Sequence, residues 1–224
     1  MNKFDKPFFI LAPMDDVTDT VFRQIVAGCS KPDLFFTEFV NVDGLQSPGR
    51  PHLMPKLLLS KSEGPVIAQL WGLKPENFYK TVKDVKDMGY AGVDLNMGCP
   101  SKAVVKNGAC GALIKNKGLA GEIIDAAREA AGDDFPVSVK TRVGFTSIDM
   151  SWPEFLLTKK LNMLSIHGRT VAQLSKVPAD WLLIGQIADM RNSLARDTLI
   201  VGNGDVRDHA HGIELAKKYG LAAL

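Results

Sequence analysis

The chain has little that would commit it to an oxidised, membrane-bound or zinc-bound existence. It holds three cysteines, Cys29, Cys99 and Cys110, and no CxxC pair. Any pairing leaves one thiol over, which argues against a disulfide framework or a zinc site and for a reducing compartment. No apolar run approaches the roughly 20 residues that span a bilayer. Met1–Pro7 is charged and lacks a signal-peptide core, so the expected location is the cytoplasm. A large excess of one charge is missing too. The 27 Lys+Arg against 25 Asp+Glu give +2, too little to mark a nucleic-acid binder by itself. What remains is ordinary globular composition, 46% hydrophobic and 23% charged over 224 residues, enough to bury a sizeable core. One domain over residues 1–224 is expected.

One absence is local. Between Asp94 and Glu122 there is no acidic residue, while Lys102, Lys106, Lys115 and Lys117 are basic. This segment opens with Asp94-Leu95-Asn96-Met97-Gly98-Cys99-Pro100-Ser101-Lys102. A thiol on a Gly/Pro-bounded loop in a locally positive stretch reads as a reacting group facing an anionic partner. The competing reading is a buried structural cysteine, a common fate of this residue type.

Short apolar runs alternate with longer amphipathic ones. Strands are predicted at Phe8–Ala12, Leu34–Phe39, Val66–Leu70, Val93–Asn96, Val137–Thr141, Met163–His167 and Thr198–Gly202. Helices are predicted at Val17–Ala27, with Val21, Phe22, Ile25 and Val26 on one side, and at Glu76–Met88, Leu119–Ala131, Trp152–Lys160, Trp181–Met190 and Asp208–Tyr219. Asn41–Pro55 reads as irregular. Continuous rather than alternating apolar runs indicate a parallel sheet buried on both faces. Successive βα units without reversal favour a (β/α)8 barrel over an open doubly wound sheet. After Gly220, a plausible helix C-cap, only Leu221-Ala222-Ala223-Leu224 follow, so an eighth strand is expected to be lacking and the barrel to be left unclosed.

Polar and special residues gather at the C-terminal ends of the strands, where barrels of this class build their sites. Pro13-Met14, Glu38, Gln69, Asn96, Lys140, Arg142, His167 and Asn203-Gly204-Asp205 all lie there. Turn and cap formation explains Asn203 or Asp205 singly, but not Lys140, Gln69 and His167 together. Gly202-Asn203-Gly204-Asp205 precedes a helix, where backbone N–H groups and the helix dipole favour an anion. Lys140 places a cation in the barrel mouth; an ion pair with Glu38 or Asp94 is the competing reading. His167, alone compatible with a satisfied core histidine, is followed by Gly168-Arg169-Thr170, which suggests a site facing an anion. Gln69 can donate and accept at once, as the edge of a heterocycle requires.

In chain order, Ala12-Pro13-Met14, Val17-Thr18-Asp19, Phe22-Arg23, Thr37-Glu38, Gln69-Leu70, Asn96-Met97-Gly98-Cys99-Pro100, Val139-Lys140-Thr141-Arg142, His167-Gly168-Arg169-Thr170 and Gly202-Asn203-Gly204-Asp205 resemble the tRNA-dihydrouridine synthase family. The resemblance implies an FMN enzyme that reduces the C5–C6 double bond of particular uridines in tRNA, with NADPH or NADH as reductant. It implies that hydride reaches C6 from the flavin and that Cys99 gives the proton to C5. A thiol with an unperturbed pKa of about 8.5 is mostly protonated at neutral pH, which suits an acid. The same resemblance places Pro13, Met14, Asp15, Gln69, Lys140 and His167 at the flavin ring, and Asn203, Gly204 and Asp205 in its phosphate loop. It places Asn96, Lys102, Arg142 and Arg169 around the extruded uridine and nearby RNA. No metal is implied.

Two departures stand out. Gln173 is followed by Leu174-Ser175-Lys176, where the family usually has an aromatic. The family's eighth strand, Gly-Arg loop and helical tRNA-binding domain have no counterpart in the chain. Two other readings stay open: a flavin barrel acting on a free pyrimidine, of the dihydroorotate dehydrogenase type, and an inactive RNA- or partner-binding fragment.

Overall fold

The computed structural model describes residues 7–224; the charged leading segment lies outside them apart from Pro7. Among the described residues are seven strands: β1 Ile10–Leu11, β2 Leu34–Asn41, β3 Val66–Trp71, β4 Gly92–Met97, β5 Val137–Arg142, β6 Met163–His167 and β7 Leu199–Asn203. Nine α-helices accompany them: α1 Thr20–Ser30, α2 Val42–Leu45, α3 Arg50–Leu53, α4 Pro75–Asp87, α5 Lys102–Val105, α6 Lys117–Ala131, α7 Ser151–Leu157, α8 Trp181–Leu194 and α9 His209–Tyr219. Two 3-10 turns lie at Met54–Leu57 and Cys110–Lys115.

The chain packs as two compact units. One comprises Phe9–Asn96 with Glu122–Val137, the other Met97–Gly121 and Ser138–Leu224 together with Phe8. In the first, β1 pairs with β2, β2 with β3 and β3 with β4, all parallel. In the second, β5 pairs with β6 and β6 with β7, again parallel. Within each unit, hydrogen-bonded neighbours are neighbours in sequence, as repeated βα units dictate. The continuous apolar runs are buried accordingly: every position of β4 is inside. In β5 and β6 the single position that escapes full burial is a polar one, Lys140 and His167 respectively.

The longer helices begin where the sequence offers caps. Asp19, Asp180 and Asp208 accept from the backbone N–H three residues on, at 2.8, 3.1 and 2.8 Å. Gly220 ends α9 in the left-handed region at φ 63°. The irregular reading of Asn41–Pro55 is corrected: it holds α2, capped by Asn41 on the Gly44 N–H at 2.6 Å, then α3 and a 3-10 turn, each with proline in its first positions. The apolar face expected on the first helix is also corrected. Val21 and Ile25 are each 60% exposed, and the residue of α1 that is buried is Arg23. A guanidinium can be buried there because its charge and donors are matched. Glu63 takes up Nε and Nη2, and the carbonyls of Thr18 and Leu58 accept at 2.7 Å each.

No eighth strand forms among the described residues. Ala223 does, however, make isolated parallel bridges to Phe8 and to Val201. The Phe8 N–H donates to Ala222 O, Leu224 N–H to Phe8 O, Ala222 N–H to Ile200 O and Gly202 N–H to Ala223 O, at 3.0–3.3 Å except for 2.9 Å at Ile200. The edge of β7 is therefore partly covered, rather than bare as the sequence suggests. No described helix is long and apolar enough to cross a membrane.

Candidate active site

In the first unit, the register between β2 and β3 shifts between Phe36 and Phe39. Such a bulge re-aims side chains. The Thr37 hydroxyl takes the Gln69 N–H at 3.0 Å, and Glu38 accepts from the Asp16 N–H at 2.8 Å. Asp16 occupies the left-handed region at φ 57°. The Lys56 ammonium donates to Asp15 at 2.6 Å and to Glu38 at 3.0 Å. Burial alone would lower the lysine's pKa, but hydrogen bonds and charge from Asp15 and Glu38 outweigh it and hold the ammonium above the ordinary lysine range. Asp15, Asp16 and Glu38 carry oxygens within 4.8 Å of one another, a spacing able to hold a metal ion; Lys56 supplies a cation to this group. The Met14 backbone is closed on itself by Thr18, whose hydroxyl both accepts from its N–H and donates to its carbonyl at 3.0 Å. Pro13 directly precedes this turn.

Gln69 sits at the centre of a buried amide chain. Its Nε2 donates to Asp94 at 2.7 Å and its Oε1 accepts from Asn96 Nδ2 at 3.0 Å. An amide has two N–H bonds and two lone pairs, so Gln69 keeps a second donor and a second acceptor.

In the second unit, the loop after β4 is held by its backbone. Met97 O accepts from the Thr141 hydroxyl at 2.9 Å, Gly98 O from Arg142 Nε at 3.0 Å and Cys99 O from the Gly111 N–H at 3.2 Å. A Cβ on Gly98 would meet the Thr141 backbone at 3.1 Å, and one on Gly111 would meet Cys99 O at 2.9 Å. Both glycines are needed for these close approaches. Cys99 is half-buried, Cys110 buried and Cys29 exposed, all outside any disulfide. Lys102 opens α5 and is exposed.

Lys140 Nζ donates to Asn203 Oδ1 at 3.0 Å. Arg169 donates to the Val177 carbonyl, approaches His167 Nε2 at 3.0 Å and grips Asp205 with Nη2 at 2.6 Å to each oxygen. Burial, reinforced by the charges of Arg142, Lys140 and Arg169, pushes the His167 pKa down to about 3. Asp205 is held below the usual carboxylate range by Arg169 and by the Ala179 N–H. Gly204, at φ 122°, packs so that a Cβ would lie 2.7 Å from Ala179 Cβ and 3.4 Å from His167 Nε2.

The first unit therefore gathers Pro13, Met14, Asp15, Gln69 and Asn96, and the second gathers Cys99, Lys102, Lys140, Arg142, His167, Arg169, Asn203, Gly204 and Asp205. Sequence reasoning missed Lys56, Thr141 and Gly111. Lys56 lay in a stretch read as irregular, and hydrogen-bond partners so far apart in the chain have no local pattern.

The donor chemistry fits the FMN that the resemblance implies. Lys140 offers a cation, neutral His167 a ring N–H, and the Gly204 loop a close backbone approach. The carboxylate of Asp205 is matched by Arg169, so it presents no uncompensated negative charge to a phosphate.

Comparison with known proteins identifies the family. The family model described as dihydrouridine synthase (Dus) matches residues 10–224. The "Probable tRNA-dihydrouridine synthase 2" of Bacillus subtilis (strain 168) is 45% identical over 223 residues, covering 98% of this chain and 68% of that protein. The "Probable tRNA-dihydrouridine synthase" of Staphylococcus aureus (strain N315) is likewise 45% identical, over 98% of this chain and 67% of its own length. Among solved structures, morphinone reductase in complex with tetrahydroNAD superposes with a TM-score of 0.61 at 13% identity, over 96% of this chain and 81% of that one. DHODH from Eimeria tenella in complex with ferulenol gives 0.60 at 10% identity, over 91% and 71%. With the parallel, sequence-ordered strands, these likenesses make the fold a (β/α) barrel short of its eighth strand. The chain belongs to the dihydrouridine synthase (Dus) family.

Proposed function

We propose that the protein is an oxidoreductase that reduces uridines of tRNA to 5,6-dihydrouridine. The observation that carries this reading is the family match over residues 10–224, joined to 45% identity with proteins named for that activity. When bound, FMN would supply the hydride for C6 of the uracil, with NADPH or NADH as the reductant. Lys140, His167, Asn203, Gly204 and Asp205 of the second unit, and Pro13, Met14, Asp15 and Gln69 of the first, are assigned to holding it. For Asp15 and Asp205 the backbone serves, since their carboxylates are engaged by cations.

Cys99 is the acid. Its thiol delivers the proton to C5 while the C5–C6 double bond becomes single, and water returns the proton. Three backbone hydrogen bonds at residues 97–99 fix the sulfur's starting point, which supports a reacting role over a filling one. Asn96, Lys102 and Arg169 are assigned to the flipped uridine and the adjoining phosphates; Arg142, which the resemblance also puts there, spends its donors on backbone carbonyls.

The test is direct. Protein loaded with FMN and reduced by NADPH should be reoxidised by unmodified tRNA, yielding dihydrouridine. Cys99→Ala should abolish that reoxidation and leave reduction by NADPH intact. A protein that cannot take up FMN, or a Cys99→Ala variant that turns over tRNA at the parent rate, removes the reading or its acid respectively.

A further inference from the structure

Arg142 is buried, yet among the described residues no carboxylate pairs with it; its hydrogen bonds go to backbone oxygens. Nε donates to Gly98 O, and Nη1 donates to Thr170 O and Leu174 O, each at 3.0 Å. One planar guanidinium thus ties the loop that carries Cys99, after β4, to the loop that follows β6. Beside it, Thr141 holds Met97 O and is itself fixed by Trp152 Nε1 at 2.8 Å. A buried cation satisfied only by carbonyls is costly to keep for packing alone. Burial and the neighbouring Arg169 both weaken its hold on its proton, whereas Cys99 opposes that effect.

We propose that Arg142, with Thr141, is a positioning residue that clamps the Met97–Cys99 backbone and so aims the Cys99 thiol, rather than a residue whose chief work is gripping RNA. This rests on the reading of Cys99 as the acid. The fork geometry matters. A single ammonium cannot reach Gly98 O and both carbonyls of the second loop, so lysine is not a substitute. The departure from the family at Leu174 falls on this clamp, since it is the backbone of Leu174, at φ 53°, that accepts from Arg142.

The experiment compares Arg142→Lys, Thr141→Val and Thr141→Ser. Amide exchange is followed at Gly111, whose N–H binds Cys99 O, in the protein without tRNA. The two half-reactions of the FMN-loaded enzyme are then measured separately. Arg142→Lys and Thr141→Val should speed exchange at Gly111. They should also slow tRNA-dependent flavin oxidation by about 10- to 100-fold at unchanged KM for tRNA, the scale of a small misplacement, and leave reduction by NADPH as in the parent. Thr141→Ser, which keeps the hydroxyl, should behave as the parent. A raised KM with unchanged kcat and unchanged exchange overturns the proposal and makes Arg142 an RNA contact. A parallel loss of both half-reactions overturns it as general destabilisation. If the parent protein shows no turnover with tRNA, the functional reading fails and the aiming role with it. The exchange data then decide separately whether Arg142 holds the loop.

Discussion

Arg169 and His167 meet at 3.0 Å between Nη1 and Nε2. A guanidinium has donors only, so the imidazole accepts at Nε2 and carries its single proton on Nδ1. His167 ends β6 and Arg169 lies two residues on, where Asp205 also holds it through Nη2. A cation that needs a carboxylate partner thereby fixes the tautomer of its neighbour and presents the other ring nitrogen as a neutral donor.

This arrangement has a pH signature. His167 has a folded pKa of about 3 against 6.5 ordinarily, so the unfolded chain binds a proton there that the folded one refuses. Stability contributed at neutral pH is lost as pH falls below about 6.5, by up to ~1.4 kcal/mol per pH unit. Urea midpoints taken between about pH 7 and pH 5.5, above most of the carboxylate titration, should show this fall. His167→Asn should flatten it. An equal slope in the variant would mean that another group is responsible.

Arg23 and Glu63 are fully buried and 3.2 Å apart, with Thr20 also donating to the carboxylate. Removing one partner strands the other charge in the core. Arg23→Met or Glu63→Met should each cost about 3–5 kcal/mol in chemical denaturation, and the double replacement should recover much of it. Additive losses in the double variant would show that the two charges do not depend on each other.

Much of the fold was legible because it rests on local signals. The run Met163–His167 is bounded in the structure as the apolar pattern implies, and Asp208 and Gly220 punctuate α9 as cap chemistry requires. The helix at α1 misled for a physical reason. Its periodicity put Val21 and Ile25 inside, but burial is decided by what lies opposite, and Glu63 lies 40 residues away from Arg23 in the chain. The candidate site residues come one by one from a family resemblance, whereas the hydrogen bonds that join them have no signal in the sequence. That Gly98 and Gly111 are glycines is plain in the sequence; that one spares the Thr141 backbone and the other Cys99 O is a fact of packing.

Lys56 is the cation that three carboxylates share. Glu38 is almost wholly buried and Asp15 only half so, so Glu38 suffers most when the ammonium is removed. Lys56→Met should lower stability by about 1–3 kcal/mol at neutral pH. The loss should shrink as pH falls and the carboxyl groups protonate, because the repulsion among them then disappears. Thermal unfolding of parent and variant at several pH values measures this; a loss independent of pH would assign it to packing of the lysine stem instead.

The last residues offer the sharpest stability test. Leu221, Ala222, Ala223 and Leu224 are all at most 8% exposed, although they form no strand of their own. Ala222 and Ala223 engage Phe8 on one side and Ile200 and Gly202 on the other. Removing the four residues would leave the Phe8 and Gly202 N–H groups without these partners and uncover the neighbouring apolar side chains. Each orphaned donor costs about 1–3 kcal/mol if it stays buried, and an uncovered sheet edge invites pairing between molecules. The shortened protein should therefore melt well below the parent, bind more of a hydrophobic dye and associate in size-exclusion chromatography. A shortened protein that stays monodisperse and melts with the parent would show that Phe8 and β7 do not need this cover.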